Sequence, residues 1–285
     1  MLYSEGFDLE IALELGQLIN NAYQQYEQRD HDSQSWTWHP DGYTIISTFE
    51  SKQNKDTVPF GFVAEKNGNA YVIFRGTRTT SEWADNAEIK PTKSQFIAGW
   101  GESKTTAGFH DIYSELSEKI ISDLNKISPQ KKIFVSGHSL GGALATLCIA
   151  DILANTNFKS TVKLYTFASP RTGNIEFATE FSSRKIDSWR IFNTEDIVPY
   201  LPFATLDLNT KAFGFQNLGE KLVANILEKV FNLPESIMGS DLTFQHIGIP
   251  IAITFQLGNI PDNHNLDKYL ENLSIYIKTT KYQRK

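Results

Sequence analysis

Five residues, Gly137-His138-Ser139-Leu140-Gly141, constrain this chain more than any other stretch. Lys132–Ser136 ahead of them is a short apolar run of strand length. Gly141–Ala154 behind them is rich in Ala, Leu and Ile on most sides, the composition of a buried helix. A G-x-S-x-G between a strand and a helix is a turn so tight that the residues flanking the serine can carry no side chain. Glycine at 137 and 141 meets that demand. Such a turn lifts the Ser139 hydroxyl clear of a sheet. It also sets that hydroxyl beside a helix N-terminus, whose free N–H groups and dipole favour developing negative charge.

The rest of the chain supplies strands and helices in alternation. Leu9 to Tyr26 places Ile11, Ala12, Leu15, Ile19, Ala22 and Tyr23 at helical spacing, an amphipathic helix. Tyr43–Phe49, Phe60–Glu65 and Ala70–Phe74 read as strands, the last two joined by an Asn-Gly hairpin turn at Lys66–Asn69. Arg75 to Gly108 shows no long element, and loops of that length are usually functional or disordered. Ile112, Leu116, Ile120, Leu124 and Ile127 mark one helix face. Val162–Ala168 and Trp189–Asn193 read as strands with a helix from Asn174 to Phe181 between them. Thr243–Phe255 reads as strand and Leu266–Ile277 as a last helix. Strands alternating with helices predict βαβ units, an α/β fold with a mostly parallel sheet.

At about 150 residues per domain, a chain of 285 could hold two domains or one large one. No linker divides it, so residues 1–285 read as a single α/β domain. Hydrophobic residues at 40% supply a sizeable core and exclude a disordered chain. A net charge of −6 argues against polyanions, so no nucleic-acid partner is expected. The lone cysteine, Cys148, permits no intrachain disulfide and suits a reducing compartment. The opening residues lack a basic n-region and an apolar h-region, so no signal peptide is expected. No run approaches the roughly 18 apolar residues of a membrane span. The resulting expectation is a cytoplasmic protein with peripheral membrane contact. His31 between Asp30 and Asp32 has no metal-ligand spacing, and no metal is expected.

A serine hydroxyl is a weak nucleophile and needs a base held by an acid. In elbow-bearing α/β folds the chain order is serine, acid, histidine. Only His246 and His264 follow Ser139. His246 sits within a strand pattern, whereas His264 lies in the turn Pro261–Asn265, from which a ring can reach over the end of a sheet. His264 is therefore the favoured base. The acid should follow a strand, and after Trp189–Asn193 both Glu195 and Asp196 qualify by chemistry.

Six segments together resemble the class 3 lipases, the fungal-lipase-like branch of the α/β-hydrolases. Val72-Ile73-Phe74-Arg75-Gly76-Thr77 resembles the family's strand ending in Phe-Arg-Gly-Thr. Trp83 and Asp85 resemble its Trp-x-x-Asp lid pair, set one residue closer here. Gly108-Phe109 with Tyr113 resembles its Gly-Phe-x-x-x-Tyr helix entry, and Gly137–Ala145 its serine stretch. Thr166–Asn174 is similar to Thr-Phe-Gly-x-Pro-Arg-x-Gly-Asn, and Asn193–Pro199 to Asn-x-x-Asp-x-Val-Pro. The resemblance runs from about residue 60 to 275. It departs at Ala168, in place of the usual glycine, and at Thr106, in place of a frequent histidine. About forty residues, 203–241, also stand where compact members have a short connection.

This resemblance implies an α/β-hydrolase in which Ser139, Asp196 and His264 form a triad, with Asp196 rather than Glu195 as the acid. It makes His246 a second, non-catalytic histidine. Thr77 and the Leu140 N–H become the oxyanion donors. A lid covering residues 78–90 would carry Trp83 and Asp85. Hydrolysis by such a triad needs no cofactor. The expected substrate is an acylglycerol-type lipid: triacylglycerol, or the sn-1 ester of a phospholipid or galactolipid. The alternatives are an esterase for small soluble or aryl esters and a non-catalytic lipid-binding protein. An amphipathic stripe at Leu218, Leu222, Ile226, Val230 and Leu233 within the insertion is expected to form part of the acyl-pocket rim.

Overall fold

The computed structural model describes residues 4–31, 33–53, 56–77, 90–97, 99–158, 161–201 and 244–283. The expected lid with Trp83 and Asp85, and the expected helical stripe within 203–241, lie outside the described residues.

Helix α1 (Leu9–Glu27) starts at Asp8, whose carboxylate accepts from the Glu10 and Ile11 N–H groups at 2.9 and 3.1 Å. Strands β1 (Thr44–Gln53), β2 (Asp56–Lys66) and β3 (Asn69–Phe74) follow as an antiparallel meander. Asn67 and Gly68 close the second hairpin with φ of 51° and 77°, the pair of positive values that suits the twist of the flanking strands. Two short strands, β4 (Pro91–Lys93) and β5 (Lys104–Thr106), pair within the stretch expected to lack a long element. Helix α2 (Ala107–Leu124) begins directly after β5, a full turn earlier than the apolar stripe alone indicated.

The parallel half is built from β6 (Ile133–His138), α3 (Leu140–Asn155), β7 (Val162–Phe167), α4 (Ile175–Ser183) and β8 (Asp187–Asn193). It ends in β9 (Ile249–Ile253), the short helix α5 (Ile260–Asn263) and α6 (Leu266–Gln283). The main sheet has the order β1-β2-β3-β6-β7-β8-β9, parallel from β3 onward. The expected strand Thr243–Phe255 is shorter than its apolar pattern suggests. Gly248 at φ 86° interrupts the extended path, and Pro250, which cannot donate to a ladder, sits on an edge strand.

Both sheet faces are covered, as a parallel sheet requires. Val72, Phe74 and Val135 face the side packed by α2, α3 and α4, while Tyr71, Ile73 and Phe134 face α1 and α6. Helix α3 runs through the first layer with 14 of its 16 residues buried, matching its near-continuous apolar composition. Its buried Asp151 is held by Tyr113 Oη at 2.9 Å, Ser117 Oγ at 2.5 Å and Asn155 Nδ2 at 2.7 Å. Burial pushes that carboxyl above its usual range.

Candidate active site

The elbow takes the form its glycines allow. A Cβ on Gly137 would stand 2.1 Å from the Gly141 carbonyl oxygen, and one on Gly141 would stand 2.5 Å from the Arg75 carbonyl oxygen. No side chain fits at either place. Ser139 itself has φ 58° and ψ −128°, a conformation costly for any residue with a Cβ. It is held there by its own N–H, which donates to the Phe167 carbonyl at 2.9 Å, and by its carbonyl, which accepts from Gly142 N–H at 2.9 Å.

Ser139 Oγ lies 2.8 Å from His264 Nε2, and His264 Nδ1 lies 2.7 Å from Asp196 Oδ2. The carboxylate can only accept, so Nδ1 carries the proton and Nε2 is left to accept from the serine hydroxyl. All three side chains are buried. Glu195, the alternative acid by chemistry, is exposed, and its carboxylate accepts from Thr194 Oγ1 at 3.5 Å.

The loops carrying the acid and the base are stitched together by amides. Asn193 Nδ2 donates to the Asn263 carbonyl, and Asn263 Nδ2 donates to the Glu195 carbonyl, each at 3.2 Å. Asn193 Oδ1 accepts from Phe255 N–H at 3.0 Å. The short helix α5 delivers His264 at its C-terminal end.

Two tyrosines belong to this constellation and are absent from the expected residues. Tyr269 on α6 donates its hydroxyl to Asp196 Oδ2 at 2.7 Å and accepts from Asn193 N–H at 2.8 Å. Burial and the Asp196 carboxylate hold its phenol well above the usual range, so it remains a donor. Tyr23 on α1 accepts from Gly76 N–H at 3.1 Å and contacts His138 Nδ1 at 2.8 Å. His138 Nε2 lies 2.9 Å from the His264 carbonyl. Carbonyls only accept, so His138 donates there through Nε2 and accepts the Tyr23 hydroxyl proton through Nδ1. Burial, and then the neighbouring His264, keep His138 well below the usual imidazole range and hence neutral. One signal for Tyr269 was available: it falls in the apolar stripe Leu266, Leu270, Leu273 and brings a hydroxyl into that buried face. Nothing in the local pattern around Tyr23 singles it out.

Thr77 lines the same cavity as Ser139 and His264, at the end of β3. The loop before it is braced by buried Arg75, which donates through Nε to the Pro59 carbonyl at 2.5 Å and through Nη1 to the Gly76 carbonyl at 2.7 Å. Leu140 opens α3, and the first N–H groups of a helix have no acceptor within it. Ala168, the departure from glycine, has φ 50°. A left-handed backbone at this place explains why glycine is usual there, and the Ala168 methyl carries the corresponding strain.

His246 stands apart. It follows the bridge between Gly173 and Gln245, and its Nδ1 is buried without a hydrogen-bond partner. Burial, then the Arg190 and Arg171 charges, push it down to about 3. His110 stacks on Phe96, and His31 is exposed. Among the described residues no group of three or more His, Cys, Asp or Glu could hold a metal ion, and no helix is long and apolar enough to cross a membrane.

A serine on a strand–helix elbow, bonded to a histidine that is bonded to an acid, on a mostly parallel sheet with helices on both faces, defines an α/β-hydrolase. Residues 71–206 match the profile of the family described as Lipase (class 3). The lipase of Rhizomucor miehei is 35% identical over 156 residues, covering 53% of this chain and 40% of that protein. The secreted mono- and diacylglycerol lipase A of Penicillium cyclopium is 30% identical over 168 residues, covering 58% and 53%. In structure, the Rhizomucor miehei lipase–propeptide complex superposes with a TM-score of 0.58 at 29% identity, covering 70% of this chain and 66% of that one. These matches support a class 3 lipase with the α/β-hydrolase fold over the matched segment. The chain spans about half the length or less of these curated relatives.

Proposed function

We propose that this protein is a serine carboxylic ester hydrolase acting on acylglycerol-type lipids through an acyl-enzyme. The observation that carries this reading is the unbroken contact line Ser139–His264–Asp196, at 2.8 and 2.7 Å.

Ser139 Oγ attacks the ester carbonyl carbon as His264 Nε2 takes its proton. The carbonyl oxygen becomes an oxyanion, to which the Leu140 N–H and Thr77 donate. Asp196 keeps the imidazole in its tautomer and stabilises the imidazolium. The tetrahedral intermediate collapses, the alkoxy leaving group receives the proton from Nε2, and the acyl group stays on Oγ. Water then gives a proton to Nε2 and attacks the acyl carbon. Collapse of the second intermediate returns Oγ with its proton and releases the carboxylic acid. Trp83 and Asp85 belong to the lid of this reading.

The test is hydrolysis of a short-chain triacylglycerol across its solubility limit, with Ser139→Ala alongside. The expected result is a rate jump at the limit and a loss of at least about 10⁴-fold in kcat in the variant with folding unchanged. Turnover by Ser139→Ala within a few-fold of the wild type overturns the assignment. A smooth saturating curve below the limit assigns the protein to small soluble esters instead. The proposal extends to a cytoplasmic location with peripheral membrane contact, supported by the single, buried Cys148. Fractionation of cells producing the tagged chain tests this, and recovery from the culture medium overturns it.

A further inference from the structure

Two arginines of similar burial are treated in opposite ways by this fold. Arg75 is 3% exposed, and its guanidinium donates to the Pro59 and Gly76 carbonyls. Arg190 is 7% exposed, yet no described residue accepts a hydrogen bond from its guanidinium, and its Nε is buried without a partner. Its Cζ lies 4.5 Å from the ring centroid of Phe192, a contact with a π face rather than with an acceptor. Burial draws the guanidinium down to about 10, so it keeps its charge at neutral pH.

The strand pattern sets what Arg190 faces. It sits mid-strand in β8, in register with Thr166 of β7 and Pro250 of β9. Trp189 and Ile191 point into the layer under α1 and α6, so alternation turns Arg190 to the opposite layer, where Leu201 and Phe244 pack. Among the described residues, the titratable groups whose fields reach it are Tyr200, Arg171 and Tyr269: two phenols and a second guanidinium, with no carboxylate. Arg171 clasps the end of the Asp196 loop, donating through its N–H to the Leu201 carbonyl at 2.7 Å and through Nη1 to the Tyr200 carbonyl at 2.8 Å. His246 feels both arginine charges, and its Nδ1 is buried without a partner although the residue is partly exposed. None of the three lines the cavity over Ser139.

A buried charge with no counter-charge or acceptor is costly, and an ion of opposite sign is the ordinary remedy. A guanidinium offers a planar fork of N–H donors that fits a carboxylate or a phosphate. A neutral imidazole adds one more donor through Nδ1 in the matching tautomer. We infer that Arg190, with Arg171 and His246 beside it, forms a binding site for a small oxyanion, separate from the Ser139 site. Such an ion would join β8, the loop after β7 and the segment ahead of β9. Two sources share this chemistry, inorganic phosphate and a short-chain carboxylate.

The experiment melts the full chain in phosphate and, separately, in butyrate, each against sodium chloride of equal ionic strength. The expected result is a saturable rise in melting temperature beyond that in chloride, as a ligand of the folded state produces. The oxyanion with the higher apparent affinity identifies the source. Arg190→Gln and His246→Gln each weaken that affinity about tenfold or more, the scale of one hydrogen bond to an ionised group. The NMR signals of the His246 ring, assigned by their loss in His246→Gln, move over the same concentration range in the wild type and stay in place in Arg190→Gln. If Arg190→Gln does not fold, His246→Gln and the wild-type ring signals decide alone. A melting curve no different from that in chloride overturns this inference. So does a rise that keeps its full affinity in the variants, since the ion then sits elsewhere, the Ser139 site included.

Discussion

His264 and His246 both lie in the C-terminal part of the chain and both are largely buried, yet their surroundings are opposite in kind. His264 sits at the end of a short helix with each ring nitrogen bonded, one to Ser139 and one to Asp196. His246 sits ahead of an edge strand with Nδ1 unpartnered and two arginines for neighbours. An acid next to an imidazole prepares it to accept a proton. A guanidinium next to one does the reverse. Burial therefore does not make a histidine a base; the sign of the neighbouring charge does.

The largest expected effect separates the two directly. His264→Ala lowers kcat by about 10⁴-fold or more, the loss typical when a triad base is removed. His246→Gln leaves kcat/KM at pH 8 within about threefold, since an effect of that size needs contact with the reacting atoms. Steady-state kinetics on one soluble ester checks both, and equal losses would erase the distinction drawn here.

Next in size is Tyr269→Phe, which removes a hydrogen bond to the buried Asp196 carboxylate and leaves the Asn193 N–H without its acceptor. Hydrogen bonds to charged groups contribute about 1.5–3 kcal/mol, so kcat should fall about 10–100-fold. The loss should fall on kcat with KM little changed, whereas a purely structural role would lower stability and leave kcat in place.

The third effect is on stability. The folded state keeps His246 neutral down to about pH 3, while in the unfolded chain it takes up a proton near pH 6.5. A depressed folded pKa means full stability above about pH 6.5, lost as the pH falls towards 3. His138 acts in the same direction and buried Asp151, with its raised carboxyl, in the other. Replacing His246 by Gln should therefore flatten the fall in unfolding free energy between pH 6.5 and 4.5 by up to about 1.4 kcal/mol per pH unit. Denaturant midpoints across that range give the slope, and parallel slopes for the two proteins would contradict the burial argument.

The smallest effect concerns the elbow's neighbour. Ala168→Gly relieves a left-handed residue and should add about 0.5–1 kcal/mol of stability, visible as a higher melting temperature. A fall would mean that the buried methyl contributes more by packing than its backbone costs.

The elbow, the alternating elements and the buried character of α3 were readable in the amino-acid order because each rests on a local rule. Glycines flank a turn with no room for Cβ, and a helix apolar all round has nowhere to go but inside. The choice of His264 over His246 was readable for the same reason, since one occupies a turn and the other a strand pattern. Between Glu195 and Asp196 local chemistry is neutral. The two are adjacent and differ only in which way the loop after β8 turns them, and the Asn193 and Asn263 amides set that turn across 70 residues of chain.

Three features depended entirely on the way distant segments meet. Tyr23 reaches His138 across 115 residues, and Tyr269 reaches Asp196 across 73. The Gln17, Asn20, Asn21 and Gln24 amides of α1 come to line the Ser139 cavity because the helix's apolar stripe packs on the far side of the sheet and turns its polar face toward the cavity. Periodicity tells which face of a helix is buried. It does not tell what the other face looks upon, because that follows from the order in which strands are laid into the sheet. The amino-acid order alone thus marked Ser139, its turn and His264, each bound by short-range sterics. The partners that orient them, and the chemistry of the wall beside them, came only with long-range packing, where a residue's role is set by neighbours that no local pattern names.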